Sequence, residues 1–169
     1  MSVLINASTT TGTVISSDLS GNIKLQYNGV DAPAFSVYQS TLQSIPTSAS
    51  TFYKLQFQAK EFDTGNYFDN VTNYRFTPLV GGYYQVSGGW WAAGSTGPLL
   101  TVAVFKNGSS YKDGGLFGVG GGAAVSCLVL LNGSTDYIEL FAFQNSSGAV
   151  NTGTSISQTY FQGILVRGT

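Results

Sequence analysis

The stretch from Phe76 to Gly89, FTPLVGGYYQVSGG, constrains the fold more than any other part of the chain. An extended segment ends there at Pro78, and Gly81 and Gly82 permit turn angles that other residues avoid. Tyr83 to Ser87 then opens a new strand, in which alternate residues point to opposite faces of a sheet. A turn of this kind joins antiparallel strands and is not typical of a helix boundary. The stretch therefore predicts an all-β protein.

Strand patterns continue on both sides of this stretch. FYKLQFQAK, residues 52–60, alternates apolar and polar side chains, whereas LLTVAVFK, residues 99–106, is apolar on both faces. Asn107-Gly108 and Asn132-Gly133 are strong hairpin-turn signals. In the closing segment, YFQGILV, the side chains of Phe161 and Leu165 share one face of the predicted strand. About eight strands without a helical period predict a β-sandwich of the jelly-roll type.

The first 50 residues have a different character, being rich in Ser and Thr and poor in apolar side chains. Short alternating runs within them predict strands that are too small to have a core of their own. We therefore predict an extended, β-rich N-terminal arm over residues 1–50 and a jelly-roll domain over residues 51–169. The arm is expected to lie on its own domain, on a neighbouring subunit or on a scaffold, with a disordered linker as the alternative. Its predicted docking residues are Ile23, Leu25, Tyr27, Phe35 and Val37.

Charged residues make up only 9% of the chain, whereas hydrophobic residues make up 43% and aromatic residues 14%. Typical proteins are about 25% charged. Either uncharged polar side chains cover the surface of the protein, or other copies and partners cover it. Aromatic residues on both faces of several strands favour the second explanation. The predicted contact residues for a trimer or a partner are Tyr83, Trp90, Trp91, Phe141, Phe143 and Tyr160. One member of the Trp90-Trp91 pair should face the core, and the other should pack on a subunit or stack on a sugar ring.

The charge balance excludes several classes of partner. Seven Lys and Arg against eight Asp and Glu, with no His, argue against nucleic acid and against a polybasic membrane contact.

No apolar run reaches the ~20 residues of a membrane span. MSVLINASTT lacks the basic residues of a signal peptide, so we expect synthesis in the cytoplasm. Cys127 precludes an internal disulfide and is predicted to be a small buried thiol rather than a nucleophile.

No motif points to catalysis, and we predict no enzyme activity, cofactor, metal or catalytic residue. The glycine-rich residues 114–122 lack the Lys-Ser/Thr ending of a phosphate loop, so a flexible loop or an interchain contact is favoured. Glu61, Asp63 and Asp69 could bind a cation together, but calcium needs six or more oxygen ligands and a solvated loop is the favoured explanation. Asp136 and Glu139 should fall on opposite faces of a strand, which makes them a poor acid–base pair.

Four short segments, in the expected order, resemble the trimeric jelly-roll family of complement globular heads and tumour-necrosis-factor-like domains. They are NYFDNVTNYRF, PLVGGYYQV, VFKNG and YFQGILV, and they fall within residues 52–169. The matching positions are Phe68, Asp69, Thr72, Phe76, Pro78, Gly82, Tyr84, Lys106, Asn107, Gly108, Phe161, Gly163 and Leu165. Asn73 stands where the family has Gly, and one extra residue precedes Phe76.

The resemblance implies a compact homotrimer with aromatic and apolar strand faces packed around a threefold axis. The arm is similar to β-rich segments of tailed-bacteriophage structural proteins, some of which use jelly-roll trimers. This implies a virion protein made in a bacterial cytoplasm, namely a capsid decoration or cement protein whose arm docks on the major capsid protein or other virion proteins. The alternative is a receptor-binding knob of a tail or head fibre that recognises host surface polysaccharide.

Overall fold

The computed structural model of the protein describes residues 15–17, 23–27, 30–94, 99–115 and 121–169, and it describes side chains from residue 31 onward. These residues form strands joined by turns and irregular segments. Within this part of the chain there is no helix long and apolar enough to cross a membrane.

Sixteen strands account for the regular structure of the described residues. Their bounds are β1 (Ile15–Ser17), β2 (Ile23–Tyr27), β3 (Val30–Asp31), β4 (Ala34–Tyr38), β5 (Ser44–Ile45), β6 (Tyr53–Lys54), β7 (Ala59–Asp63), β8 (Phe68–Asp69), β9 (Arg75–Phe76), β10 (Gly82–Ala93), β11 (Leu100–Lys106), β12 (Ser109–Asp113), β13 (Gly121–Leu131), β14 (Ile138–Gln144), β15 (Val150–Thr152) and β16 (Tyr160–Gly168).

The strands form two large sheets and one small sheet. The first large sheet has seven strands, with the order β5-β15-β10-β16-β4-β7 and with β13 paired to β10. The second has six strands, with the order β12-β11-β14-β9-β8 and with β6 paired to β14. The strands β1, β2 and β3 form a separate three-stranded sheet. The predicted all-β jelly-roll sandwich is confirmed.

The core lies between the two large sheets and is rich in aromatic side chains. From β10, Tyr84, Val86 and Trp90 point inward and are buried, because alternate residues of a strand share a face. The Phe35 ring stacks on Phe76 with 4.2 Å between ring centroids. Further rings from several strands complete this cluster, including Phe57, Phe68 and Phe161. The predicted turn at Asn107-Gly108 is present, with positive φ angles of 52° and 79°.

Residues 34–45 belong to the sandwich, although they fall within the predicted arm. Strand β4 pairs with β16 on one side and with β7 on the other, and β5 pairs with β15. Phe35, Val37 and Ile45 are completely buried. The sandwich therefore starts at Ala34 rather than near residue 51. Of the three surfaces predicted for the arm, Phe35 and Val37 pack on their own domain, so they are not available for docking on a neighbouring subunit or a scaffold. The three buried side chains are therefore not accessible to a neighbouring subunit, whereas Leu42 of the same segment is exposed.

The rest of the predicted arm is described only in part. Ile23, Leu25 and Tyr27 lie in β2, which pairs with β1 and β3, and their side chains lie outside the described part of the structure. Their docking role stays a prediction. Residues 1–14, 18–22 and 28–29 lie outside the described residues altogether.

Candidate assembly surface

The outer face of the seven-stranded sheet carries a cluster of exposed apolar side chains. Tyr83 of β10 stands opposite Leu130 of β13, and Gln85 stands between Leu128 and Ile164. In-register residues on neighbouring antiparallel strands share a face, so these side chains form one continuous surface. We call this surface the apolar face, and it consists of Tyr83, Leu128, Leu130, Ile164 and Val166.

The apolar face is poor in charge. The outward positions of β10 from Tyr83 to Trp91, of β13 from Gly122 to Leu130 and of β16 from Tyr160 to Val166 carry no charged side chain. Arg167 is in register with Tyr83, so one charged residue lies at the end of this face. The seven-stranded sheet also carries Lys60, Glu61 and Asp63 in its edge strand β7. The six-stranded sheet and its turns carry a larger set of charged residues: Lys54, Asp69, Arg75, Lys106, Lys112, Asp113, Asp136 and Glu139. Among the described residues, low charge density is therefore a feature of the outward positions of β10, β13 and β16.

A row of uncharged polar side chains crosses the middle of this face. The amide of Gln85 donates to the Ser126 hydroxyl at 2.8 Å, and the amide of Gln162 donates to the Ser87 hydroxyl at 3.1 Å. A depression of about 250 Å³ lies beside this row and is bounded by Phe62. Because these polar groups are already partly satisfied by each other, covering them costs far less than burying a charge.

The energetics favour covering this face. Leu128, Ile164 and Val166 are 53%, 52% and 60% exposed, respectively. Full burial of such a side chain stabilises by about 1.5–3 kcal/mol, so covering a half-exposed one contributes roughly 1 kcal/mol. Several such contacts on each copy suit a contact between protein subunits.

The structure separates the predicted contact residues into three groups. Tyr83, Trp91 and Tyr160 lie at outward positions of the seven-stranded sheet. Trp90 does not, since its side chain is 1% exposed and its indole N–H donates to the Thr101 carbonyl at 3.1 Å. The prediction that one tryptophan of the pair faces the core is confirmed, and Trp90 is withdrawn as a contact residue because it is buried.

Phe141 and Phe143 lie on the opposite sheet, away from the apolar face. Phe141 stacks on Phe105 with 4.0 Å between centroids, and Phe52 packs against both Phe105 and Phe143. These rings cover the outer side of the six-stranded sheet within the same chain, which explains why β11 is apolar on both faces. Phe143 is buried by these contacts and so has little surface to offer a partner.

The main contributors to the apolar face were missed as contact residues. Leu128, Leu130, Ile164 and Val166 are aliphatic, whereas the predicted contact residues are all aromatic. A signal was available for Ile164 and Val166, because they fall on the face opposite the buried Phe161 in an alternating strand.

The acidic residues considered for cation binding have separate partners. Glu61 accepts a hydrogen bond from the Ser36 hydroxyl, and Asp63 pairs with Lys60 at 2.8 Å. Asp69 accepts several N–H groups of its own turn, and these hydrogen bonds hold the pKa of the Asp69 carboxyl well below its usual range. Among the described residues there is no group of three or more His, Cys, Asp or Glu side chains that could hold a metal ion.

The other residues considered for chemistry in the sequence analysis are Asp136, Glu139, Cys127 and the glycine-rich segment, and the described ones have structural roles. Asp136 pairs with Lys106 at 3.0 Å, whereas the buried Glu139 pairs with Lys54. Burial raises the pKa of the half-buried Cys127 thiol, which disfavours a nucleophilic thiolate. Residues 116–120 of the glycine-rich segment lie outside the described residues.

Comparison with known proteins agrees with this geometry at the level of the fold. No protein-family model matches the chain, and no curated protein matches its sequence. Solved structures do match its fold. Murine APRIL is 9% identical with a TM-score of 0.61, over 80% of this chain and 100% of that chain. The globular domain of zebrafish complement 1qA is 20% identical with a TM-score of 0.52, over 81% and 99%.

The vertex protein P5 of PRD1 is also similar. It is 15% identical to this chain with a TM-score of 0.59, and the match covers 96% of this chain and 86% of P5. Together these neighbours show that the chain has the jelly-roll fold of tumour-necrosis-factor-like and complement-head proteins.

Proposed function

We propose that the protein is a homotrimeric structural protein of a phage particle, in which three copies pack through their apolar faces. The exposed apolar face, which is poor in charge, is the observation that carries this proposal. Three copies around a threefold axis would remove these side chains from water while the charged six-stranded sheets stay outside. A chain with few charged groups on one side gains solubility from such packing.

The comparison with P5 supports a role in a virion. P5 is a vertex protein, and its match covers 96% of this chain, against 80% and 81% for murine APRIL and zebrafish complement 1qA. The longer match extends the likeness beyond the part shared with the animal proteins. It favours a particle component over a soluble ligand.

Within the particle, we assign the protein a decoration or cement role. The segment that precedes Ala34 would dock on the major capsid protein or on other virion proteins, and the sandwich would form the exposed head. Extended segments bind by backbone pairing along sheet edges together with apolar contacts, so this role needs no catalytic residues.

A truncation experiment tests the docking role. Particles assembled without the protein are incubated with the full chain or with a chain that lacks residues 1–31. The shorter chain keeps Pro33, whose carbonyl accepts the Leu165 N–H at 2.9 Å, and it keeps all of β4. It should therefore fold and form trimers but fail to bind particles. Full occupancy of the particles by the truncated trimer would contradict the docking role.

A matched substitution tests the assembly role separately. Ile164→Lys places a charge at the centre of the apolar face and should prevent trimer formation while leaving the isolated fold intact. Val71→Lys is the control, because Val71 is exposed on a turn away from the apolar face, and it should leave the trimer unaffected. Equal behaviour of the two variants would contradict assembly through the apolar face.

The second candidate function is a receptor-binding knob that recognises host polysaccharide. The exposure of Trp91, at 43% of its side chain, favours it, because an exposed indole can stack on the C–H face of a sugar ring. Binding of the purified protein to host cells, lost in Trp91→Ala while the trimer persists, would favour this function over decoration.

A further inference from the structure

A polar groove of about 510 Å³ lies at the edge of the sandwich, lined by residues of β7, β8 and β9 and of the turns that join them. Its volume falls within the ~300–1,000 Å³ of ligand pockets. None of the residues of the apolar face lines it. We propose that this groove binds an acidic saccharide, with the anionic group held by Arg75 and the sugar hydroxyls held by asparagine side chains.

Arg75 is a cation that has no acidic partner in the described part of the chain. Within the described residues, no carboxylate lies within ion-pair distance of its guanidinium, and the guanidinium donates no hydrogen bond. Its position is nevertheless defined, because the guanidinium carbon lies 4.4 Å from the centroid of the Tyr137 ring. Stacking on a ring leaves the N–H groups at the edge of the guanidinium free, and that edge matches a carboxylate or phosphate group.

The nearest candidate partner for Arg75 is already engaged. Asp69 stands opposite Arg75 in the pairing of β8 with β9, so the two side chains share a face. One Asp69 oxygen accepts the backbone N–H groups of Val71 and Thr72, each at 3.0 Å, and the other accepts that of Asn73 at 3.0 Å. Because Asp69 is committed to its turn, Arg75 stays available for an anion from outside.

Three asparagines in the groove each use one end of the amide to hold the structure, and the other end has no hydrogen bond to another described residue. The Asn70 amide nitrogen donates to the Gln58 carbonyl at 2.7 Å, and that of Asn73 donates to Asp69 at 2.7 Å. The Asn66 amide oxygen accepts the Lys60 ammonium at 2.8 Å.

The free ends comprise two carbonyl oxygens and one amide N–H₂ group, fixed in place by the bonds at the other ends. Sugar hydroxyls both donate and accept hydrogen bonds, so they suit such a mixed set. A groove with several fixed amides and one unpaired guanidinium therefore matches a saccharide that carries an anionic group.

Isothermal titration calorimetry on the full chain tests this inference with three probes: a galacturonate oligosaccharide, a phosphorylated oligosaccharide and a neutral galactose oligosaccharide. At least one acidic probe should bind, and the neutral probe should bind about ten-fold more weakly. The two acidic probes distinguish a carboxylate ligand from a phosphate ligand. Arg75→Met keeps the packing stem and should weaken acidic-probe binding by about ten- to hundred-fold, since charged hydrogen bonds are lost.

Lys112→Met is the matched control. Lys112 also lies over a tyrosine ring, with its ammonium 5.5 Å from the Tyr111 centroid, and no carboxylate pairs with it among the described residues. Its loss changes the net charge equally and should leave binding unchanged. If Arg75→Met lowers thermal stability, Arg75→Lys serves instead, and it should also weaken binding because the guanidinium fork is lost.

Absence of binding by both acidic probes at millimolar concentration would overturn the inference. Equal losses in the Arg75 and Lys112 variants would also overturn it, because they would indicate diffuse charge attraction. The inference does not rest on trimer formation, and the mass of the protein in solution is measured in the same samples. A trimer that binds no probe would refute the groove alone, whereas a monomer that binds would refute the assembly alone.

Discussion

Replacing Phe35 by alanine tests whether residues 34–45 are an integral part of the sandwich. The Phe35 ring is completely buried and lies 4.2 Å from the Phe76 centroid and 5.2 Å from the Phe161 centroid. Truncation of a core Phe to Ala costs about 3–5 kcal/mol. Phe35 contacts several rings, each worth about 0.5–1.5 kcal/mol beyond area burial, so we expect a loss of free energy of unfolding near the upper end of that range.

Leu42→Ala is the control, since Leu42 lies in the same segment but is 62% exposed. Its cost should stay within about 0.5 kcal/mol. Urea unfolding at one fixed protein concentration gives both values from the shift in midpoint. A domain is stable by only about 5–15 kcal/mol, so the Phe35 variant should lose a large fraction of its stability. If the two variants unfold at the same urea concentration, Phe35 does not pack in the core of its own domain.

Three further predictions concern individual side chains. Gly163→Ala should destabilise the protein by about 1–3 kcal/mol, because a Cβ atom there would lie 2.8 Å from both the Phe35 ring and a Val86 methyl group. Gly148→Ala is the control, since its Cβ atom would meet no atom within 4 Å, and it should leave thermal unfolding unchanged. Lys54→Met should lower the free energy of unfolding in urea by about 2 kcal/mol, since it leaves the buried Glu139 carboxylate unpaired. The double variant Lys54→Met with Glu139→Gln should recover part of that loss. The pKa of the Asp69 carboxyl is lower in the folded protein than the ordinary carboxyl value of about 3.9, so it contributes stability that is present above that value and is lost as pH falls below it. Asp69→Asn should therefore reduce the loss of stability at acidic pH. An unchanged loss of stability at acidic pH would contradict this role.

Local signals in the sequence predicted much of the sandwich. Asn107-Gly108 marked a tight turn because its positive φ angles suit these two residues, and β16 alternates as its sequence indicates, with Phe161 buried and Ile164 exposed. The Trp90-Trp91 pair was expected to divide between core and surface. Assigning which tryptophan is buried required the phase of the strand, set by the buried Tyr84 and Val86.

The role of β4 could not be read from its own residues. Phe35 pairs with Gly163, a partner far along the chain, so no local pattern reports the contact. Two of the residues around it also weaken the apolar signal, since Ser36 and Gln39 are polar and yet buried. The segment therefore resembled the Ser- and Thr-rich region before it more than the domain to which it belongs.

The polar groove also could not be predicted from the sequence, because it depends on contacts between separate segments. Its Asn66, Asn73 and Arg75 side chains are brought together by turns, which bring groups from separate strands to one edge. In the sequence they resemble an ordinary solvated loop. The unpaired state of Arg75 depends on where Asp69 directs its carboxylate, and that direction is a property of the folded turn.

The mass of the full chain in solution tests the central claim most directly, that the apolar face is covered by other copies of the chain. Sedimentation equilibrium at micromolar concentration is a suitable measurement. We predict a single species with three times the 17.8 kDa of one chain. A stable, non-aggregating species of 17.8 kDa would contradict the claim.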